Sequence, residues 1–297
     1  MIEVRSLYKS FDGFQALKNV NITVPEASVY GIVGPNGSGK TTLIKHIVGI
    51  LMPDQGSIKI NGRPVFDNPE VKKTVAYVPD DIYFFPQANM QDMIKFYQSV
   101  YPDFNLERFE KLVPLFPLNQ RIPIRRFSRG MKKHVAFMLA LSIMPDFLIL
   151  DEPMDGLDPV ARRKVWSLIF QDVAERNSSV FVSSHNLREL EDVCDHVGIM
   201  HKGEIVLERS LDEMQSNIFK LQMAFSNPPP AFTGLEILAE HKTGSVIQLV
   251  VRGEKDTILN EANKMEPLMI DLLPLSLEEI FIHELGGLDY EITSTII

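Results

Sequence analysis

Residues 29–41 read VYGIVGPNGSGKT, an apolar run that leads into a glycine-rich loop closed by Lys40 and Thr41. The run at 29–33 has the uninterrupted hydrophobicity of a strand buried on both faces of a parallel sheet. The loop at 34–41 fits the pattern G-x-x-x-x-G-K-[ST], which belongs between a strand and a helix. We therefore predict a strand at 29–33, a helix at about 40–50 and an anion-binding loop between them.

The chemistry of this loop points to a nucleotide phosphate. Glycines allow backbone N–H groups to turn inward around the phosphates, and the N-terminus of the following helix adds positive charge. Lys40 is expected to reach the β- and γ-phosphates, and the Thr41 hydroxyl to bind Mg²⁺. An ordinary glycine-rich turn is the alternative, which the strand and helix on either side disfavour. The residues expected to contact the nucleotide here are Gly34, Pro35, Asn36, Gly37, Ser38, Gly39, Lys40, Thr41 and Thr42.

Two later strands end in polar groups. The run at 147–153 reads FLILDEP, so a buried strand is expected to deliver Asp151 to hold Mg²⁺ through water. Glu152, the next residue, is expected to polarise the attacking water. The alternative is a solvated strand end, which is less favoured because the upstream loop needs an acidic partner.

The second of these strands, at 180–183, is followed by His185 at the predicted ligand edge of the sheet. His185 is expected to contact the γ-phosphate and to hold the water and Glu152 in line. The six other histidines are interpreted as structural, since none follows a core strand in this way; they are His46, His134, His196, His201, His241 and His283.

Composition limits the class of protein. The chain has 297 residues, 45% of them hydrophobic, with a net charge of −9, which argues against general nucleic-acid binding. Its single cysteine, Cys194, cannot form an internal disulfide. No secretory signal is visible, and no apolar run approaches the ~18–20 residues that span a bilayer. We expect a cytoplasmic protein without direct membrane insertion, whose membrane role comes through a partner.

Strands that alternate with helices predict an α/β fold with a mainly parallel sheet. Strands at 2–7, 20–24, 57–60 and 74–78 and a helix at 160–176 belong to this core, and a helical subdomain is expected at about 86–145. A domain boundary is predicted after residue 215, near the polyproline-type break at 227–231. The domain at 216–297 is expected to be a small α+β appendix, with a strand at 245–251 and helices at 257–265 and 277–285.

Together these motifs resemble the ATP-binding cassette (ABC) ATPases, over residues 1–215. The glycine-rich loop is followed by FSRGM at 127–131, LILDEP at 148–153, MDGLDP at 154–159 and SSH at 183–185, in the family's order. The resemblance implies a P-loop NTPase core with an antiparallel β subdomain and a helical subdomain. FSRGM stands where the family carries its signature LSGGQ, with Arg129 in place of the first glycine and Met131 in place of glutamine.

The resemblance also implies how the signature acts. In this family two cassettes pack head to tail, and the signature of one closes over the ATP held by the other. Ser128 and Gly130 are then expected to contact the γ-phosphate. The alternative is that Ser128 only caps its own helix; both roles can hold at once.

Two more positions follow from the resemblance. Asp80 stands where the family carries glutamine before its helical subdomain and is expected to approach Mg²⁺. Phe11 stands at the position of the aromatic residue that stacks on adenine. Phe11 could equally be a core residue of its strand.

The function implied is that of the ATPase subunit of a bacterial, exporter-like ABC transporter, with ATP and Mg²⁺ as cofactors. Its partners are expected to be a second ABC ATPase subunit, identical or paralogous, and a transmembrane permease that contacts residues 83–86 at the inner face of the cell membrane. The main alternative is a soluble ABC ATPase of DNA repair or of the ribosome; such proteins usually carry a long insertion or two cassettes. A non-catalytic regulatory cassette is disfavoured because Lys40, Asp151, Glu152 and His185 are all present.

Overall fold

The computed structural model describes residues 1–211, 218–225, 232–277 and 279. Contacts divide the chain into two units, the first formed by Met1–Asn186 and Val193–Glu208 and the second by Leu187–Asp192 and the described part of Arg209–Ile297. The predicted α/β fold class is confirmed. The boundary predicted after residue 215 falls at 212–217, outside the described residues.

A six-stranded sheet forms the centre of the first unit, with the order β10-β9-β3-β8-β7-β6. Every residue of β3, β7 and β8 is buried, as the apolar runs predicted. The pairs β3–β8, β3–β9, β6–β7 and β7–β8 are parallel. The strands are β3 Val29–Val33, β6 Val75–Val78, β7 Phe147–Leu150, β8 Ser179–Ser184, β9 His196–His201 and β10 Glu204–Ser210.

Parallel pairing brings the functional segments together. Val33 lies opposite Ser184, and Leu150 lies opposite Val182, so β3, β7 and β8 end at the same edge of the sheet. The glycine-rich loop follows β3, the acidic pair follows β7, and His185 follows β8. The polar groups of three distant segments therefore meet at one edge.

An antiparallel sheet with the order β2-β1-β4-β5 completes the first unit. It contains the strands predicted at 2–7, 20–24 and 57–60, in longer form. Its buried side chains share one apolar cluster with α1 and β3, through residues such as Val4, Leu43 and Ile32. The strands are β1 Ile2–Phe11, β2 Phe14–Val24, β4 Gln55–Ile60 and β5 Arg63–Pro64.

Side chains cap the first turn of most helices described in the first unit, although the helix that follows Gly39 begins without such a cap. Asn89, Asn105, Ser128 and Asp158 each accept a backbone N–H bond from the first turn of a helix, which satisfies donors that have no partner within the helix. The helices are α1 Lys40–Ile47, α2 Pro69–Lys72, α3 Met90–Val100, α4 Leu106–Leu112, α5 Arg129–Ser142 and α6 Pro159–Arg176. The helix predicted at 40–50 ends earlier, because Gly49 has a φ of +69°.

The helical subdomain predicted at about 86–145 contains α3, α4 and α5, with 3-10 turns at Val113–Leu115 and Ile124–Arg126. Its prolines lie outside the three α-helices, as expected from their missing N–H, and Pro114 lies in the first turn of a 3-10 helix, where no N–H is needed. In α5 the apolar residues from Val135 to Leu141 are buried, and the side chain of Lys133 is completely buried as well.

The second unit holds an antiparallel sheet with the order β12-β13-β11-β14. Its core joins β11, β13 and α8, for example through Leu221, Leu249 and Ile258. The strand predicted at 245–251 and the helix predicted at 257–265 are found as β13 and α8, whereas β11, β12 and β14 were not predicted. The break at 227–231 and nearly all of the helix at 277–285 lie outside the described residues. The elements are α7 Arg188–Glu191, β11 Ile218–Ala224, β12 Glu236–Thr243, β13 Val246–Arg252, α8 Lys255–Asn263 and β14 Met269–Pro274.

Cys194 is buried, and burial, reinforced by the carboxylate of Asp195, raises the pKa of its thiol far above the ordinary value. Within the described ranges, no helix combines the length and the apolar character needed to cross a bilayer.

Candidate functional site

The glycine-rich loop between β3 and α1 needs glycine for steric reasons. A Cβ at Gly34 would lie 2.2 Å from the Met200 carbonyl oxygen, and one at Gly39 would lie 2.9 Å from the Ala16 carbonyl oxygen. Gly37 and Gly39 also have φ values of +81° and +113°, in the region that side chains disfavour. The backbone can therefore make this tight turn only with the residues that the motif supplies.

Lys40 is almost completely buried, at 6% exposure. Its ammonium group donates to the carbonyl oxygens of Gly34, at 2.6 Å, and Pro35, at 3.3 Å. It also forms an ion pair with Glu152 Oε1 at 3.3 Å. The loop and the acidic end of β7 are thus joined through one cation.

The Glu152 carboxylate lies between two nitrogen groups. Oε1 faces Lys40, while Oε2 lies 2.9 Å from His185 Nδ1 and accepts the backbone N–H of His185 at 3.2 Å. The Glu152 side chain is 12% exposed, and that of His185 is 47% exposed. This arrangement fixes the carboxylate while leaving the imidazole accessible from solvent.

Hydrogen bonds also hold the backbone on which the two acids stand. The Glu152 N–H donates to Ser183 Oγ at 3.0 Å, and that hydroxyl donates to Asp151 Oδ1 at 2.7 Å. Asp151 is buried, and Glu152 has a φ of +44°. On the other side, Lys133 Nζ donates to the Glu152 carbonyl oxygen at 2.6 Å. No role was predicted for Ser183, although it belongs to the SSH motif at 183–185, and none for Lys133, which lies outside every motif.

Asp80 is tied to the beginning of α5. Its Oδ1 accepts a hydrogen bond from Arg129 and lies 3.6 Å from Lys133 Nζ. Burial raises the pKa of the Tyr77 phenol, and the carboxylates of Asp151 and Asp80 raise it further. Asp80 and Arg129, two residues that depart from the family's motif pattern, therefore pair with each other within the chain.

A pocket of about 370 Å³ unites most of the predicted residues. Its lining consists of Phe11, Phe14, Ala16, Asn36, Gly37, Gly39, Lys40, Thr41, Thr42, Asp80 and Glu152. Asp151 and His185 reach this site through the hydrogen bonds around Glu152 rather than by lining the pocket.

Ser128 and Gly130 do not line the pocket of their own chain. Ser128 Oγ accepts the N–H of Met131 at 3.2 Å, so the predicted helix cap is confirmed. A Cβ at Gly130 would lie 2.8 Å from the Gly156 carbonyl oxygen. Gly130 therefore also has a packing role, since it admits the backbone of the segment that follows the acidic pair.

Two aromatic rings stand at the mouth of the pocket. Phe11 and Phe14 are paired across the β1–β2 hairpin and are 40% and 68% exposed. Phe14 was not predicted, although Asp12-Gly13 is a strong hairpin signal that places the flanking residues opposite each other. Lys9 Nζ lies 5.4 Å from the centre of the Phe11 ring. The exposure of both rings is unlike that of core residues.

The residues of the site suit a nucleoside triphosphate with a hard divalent cation such as Mg²⁺. Ser38 Oγ is buried within the loop and has no hydrogen-bond partner in the described part of the chain, which leaves a hydroxyl available to a phosphate oxygen. Thr41 and Asp151 offer hydroxyl and carboxylate oxygens, the ligands that Mg²⁺ prefers.

Comparison with known proteins places the chain among ATP-binding proteins of transporters. Residues 17–155 match the ABC transporter family. The chain is 31% identical to the ABC transporter ATP-binding protein YtrB of Bacillus subtilis, over 97% of this chain and 99% of that protein. It is 28% identical to the bacitracin transport ATP-binding protein BcrA of Bacillus licheniformis, over 97% and 98% of the two chains.

A solved structure shares the fold. The ATP-binding cassette MJ0796, a dimer bound to ADP and Pi in a post-hydrolysis state, superposes with a TM-score of 0.65 at 21% identity. The match covers 71% of this chain and 99% of the cassette.

Proposed function

The chain belongs to the ABC transporter family as an ATP-binding subunit that hydrolyses ATP, and we propose that it acts as one half of a head-to-tail dimer that drives a separate membrane permease. The observation that carries the catalytic part of this proposal is the Glu152 carboxylate, held between Lys40 and His185 at the edge of the nucleotide pocket.

In this proposal Glu152 accepts a proton from the water that attacks the γ-phosphate. Lys40 supplies positive charge to the β- and γ-phosphates, and the buried ammonium makes that charge strong because little water screens it. His185 orients the carboxylate through Nδ1 and presents its half-exposed imidazole to the phosphate side. In this proposal Glu152 is the base, Lys40 supplies the positive charge and His185 orients the base.

Thr41 and Asp151 are the residues proposed to hold Mg²⁺, which when bound neutralises charge on the β- and γ-phosphates. Asp80 is a weaker candidate in this arrangement, because its carboxylate already pairs with Arg129. Phe11 and Phe14 are proposed to stack on the adenine, since aromatic stacking on a base is worth ~1–3 kcal/mol and both rings are exposed.

The proposed dimer explains the position of the signature. Ser128 is exposed at the N-terminus of α5 and lies outside the pocket of its own chain, which supports a role toward the nucleotide of a second chain. The dimeric state of the cassette MJ0796 is consistent with this arrangement.

The proposed permease contact is an aromatic patch formed by Tyr83, Phe85 and Phe96. Their exposed fractions are 75%, 48% and 42%, and the rings of Phe85 and Phe96 meet edge to face at 5.1 Å. The similarity to BcrA, a bacitracin transport ATP-binding protein, supports the proposal of a permease partner for this chain. Exposed apolar groups that lie close together are typical of interaction surfaces.

Cross-linking between differently tagged chains tests the dimer. Ser38 is too buried to be labelled, so Asn36→Cys, at an exposed position of the same loop, is paired with Ser128→Cys. Both chains carry Glu152→Gln to retain ATP. We expect a short thiol cross-linker to join the chains with MgATP and much less with ADP or without nucleotide. A product that forms equally without nucleotide, or no product from protein that binds ATP, contradicts the head-to-tail arrangement.

A further inference from the structure

Lys133 is a lysine in an unusual place. It lies in α5, on the side that faces the core, and its side chain is 0% exposed. Removing an ammonium group from water is costly unless charged or polar partners compensate. Burial lowers the pKa of Lys133, and the carboxylate of Asp80 opposes this effect.

The ammonium has two partners of different kinds. It donates to the backbone carbonyl oxygen of Glu152 at 2.6 Å, and it lies 3.6 Å from Asp80 Oδ1. Asp80 in turn pairs with Arg129. The contact with the Glu152 carbonyl oxygen is shorter than the contact with Asp80. The ammonium therefore does more than balance the charge of Asp80.

The peptide that Lys133 contacts has an uncommon conformation. Glu152 has a φ of +44°, a region that residues with a side chain rarely adopt without support from their surroundings. Its N–H is held by Ser183 Oγ at 3.0 Å, and its carbonyl is held by Lys133. The backbone is therefore held on both sides of the Cα atom, which fixes the direction of the Cα–Cβ bond from which the side chain extends toward Lys40 and His185.

We propose that Lys133 is a positioning residue for the reaction, which holds the Glu152 peptide so that the carboxylate stays between Lys40 and His185. The inference rests on the proposed role of Glu152 as the base. Misplacement of a reacting group by about 1 Å can lower a rate about a hundredfold, so a side chain that touches no substrate can control turnover.

The test compares Lys133→Met with Lys133→Gln. Methionine keeps an unbranched apolar stem but has no donor, whereas glutamine keeps an N–H donor without the charge. We expect K133M to lower kcat about tenfold to a hundredfold while the affinity for MgATP changes less than twofold, and K133Q to recover a large part of kcat. ATP affinity is measured by equilibrium binding, and folding by the unfolding midpoint. Should K133M not fold, K133L serves as the variant without a donor.

Two controls separate this inference from the proposed function. Lys111→Met removes an exposed lysine, 73% accessible and paired with Glu107, and should leave kcat unchanged. Glu152→Gln tests the base itself: a fully active E152Q overturns the proposed function, and the inference with it. If E152Q is inactive, two results overturn the positioning role alone. The first is a kcat equal to that of the wild type in K133M, or in K133L where that variant is used. The second is a kcat of K133Q as low as that of the variant without a donor.

Discussion

Three polar side chains at the edge of the sheet depend on one another. Lys40 is 6% exposed and bonds to two carbonyl oxygens as well as to Glu152, while Glu152 also bonds to His185. A change of any one of them therefore alters the surroundings of the others, and effects on activity are not expected to add. Binding and chemistry can still be separated, because only Lys40 is proposed to contact the phosphates with a full positive charge.

Glu152→Gln is expected to lower steady-state ATP hydrolysis by about 10²–10⁴-fold, the usual contribution of a general base, while ATP binding is retained. The amide keeps the size of the side chain and loses the proton acceptor. Phosphate release at saturating MgATP measures the effect. Lys40→Ala is the contrasting variant: it should weaken ATP binding by about tenfold to a hundredfold, since a hydrogen bond to a charged group is worth ~1.5–3 kcal/mol. An E152Q that turns over at the wild-type rate removes Glu152 from this role.

Among the individual residues of the site, the sequence predicted those that belong to short patterns. Lys40, Asp151, Glu152 and His185 each follow a strand in a recognisable context, and parallel pairing brings their segments to one edge. Lys133 could not be predicted, because its burial depends on how α5 packs beneath the acidic pair.

The beginning of α5 combines several functions in one turn. Ser128 caps it, Arg129 pairs with Asp80, and Gly130 lies against the backbone of Gly156. Any movement of this turn therefore affects both the segment after the acidic pair and the residue at the end of β6.

Gly130→Ala is expected to destabilise the protein, by about 1–3 kcal/mol for an overpacked site. The added Cβ would lie 2.8 Å from the Gly156 carbonyl oxygen, a backbone atom that cannot rotate away. Helix propensity alone predicts the opposite sign, a gain of up to ~1 kcal/mol for alanine. Urea unfolding decides between them, with Lys132→Ala as the control in the same turn. A more stable G130A variant means that the close contact has no cost.

The free energy of unfolding of the protein should depend on pH through His46, a buried residue of α1. Burial lowers the pKa of His46 from its ordinary value of 6.5, and its Nδ1 lies 2.7 Å from the Thr42 carbonyl oxygen. Above pH 6.5 the imidazole is neutral in both states, and its contribution to stability is complete. As the pH falls below 6.5, the unfolded chain takes up a proton that the folded chain resists, so stability is lost until the lowered pKa is reached.

The urea midpoint, measured at pH 7.5 and 5.5, should therefore fall less in His46→Gln than in the wild type. Burial also lowers the pKa of His134. The urea midpoint of His134→Gln should therefore also fall less between pH 7.5 and 5.5 than that of the wild type. Equal pH dependence in all three proteins contradicts this assignment.

Two of the strands that the sequence did not predict, β10 and β12, share a physical reason. β10 and β12 consist mainly of half-buried or exposed residues, without the clean alternation or continuous apolar run that identifies a strand. Their extended form depends on pairing with β9 and β13, the strands next to them in the sequence across two-residue turns. β3, β7 and β8 could be predicted because burial on both faces requires apolar residues at every position.

The molecule as a whole separates its chemistry from its second unit. Every residue of the nucleotide pocket belongs to the first unit, while the second unit has its own apolar core in β11, β13 and α8. We propose a regulatory or dimer-contact role for the second domain, at 216–297, since the predicted nucleotide-binding domain at 1–215 holds every residue of the pocket.

A chain ending at residue 215 is therefore expected to bind MgATP with an affinity within about threefold of the full chain, since it keeps every proposed nucleotide contact. Equilibrium binding of a fluorescent ATP analogue measures this, and circular dichroism confirms that the shortened chain is folded. A folded shortened chain that does not bind ATP shows that residues beyond 215 contribute to the nucleotide site.

The burial of Cys194 has a practical consequence. Only a thiolate reacts rapidly with maleimides and disulfide reagents, and the raised pKa leaves almost none of this thiol ionised at neutral pH. Because the chain contains no other cysteine, a cysteine introduced at an exposed position is expected to be the only rapidly labelled site. Spin labels and paired fluorophores can then follow distances in the native sequence background, without any substitution in the core.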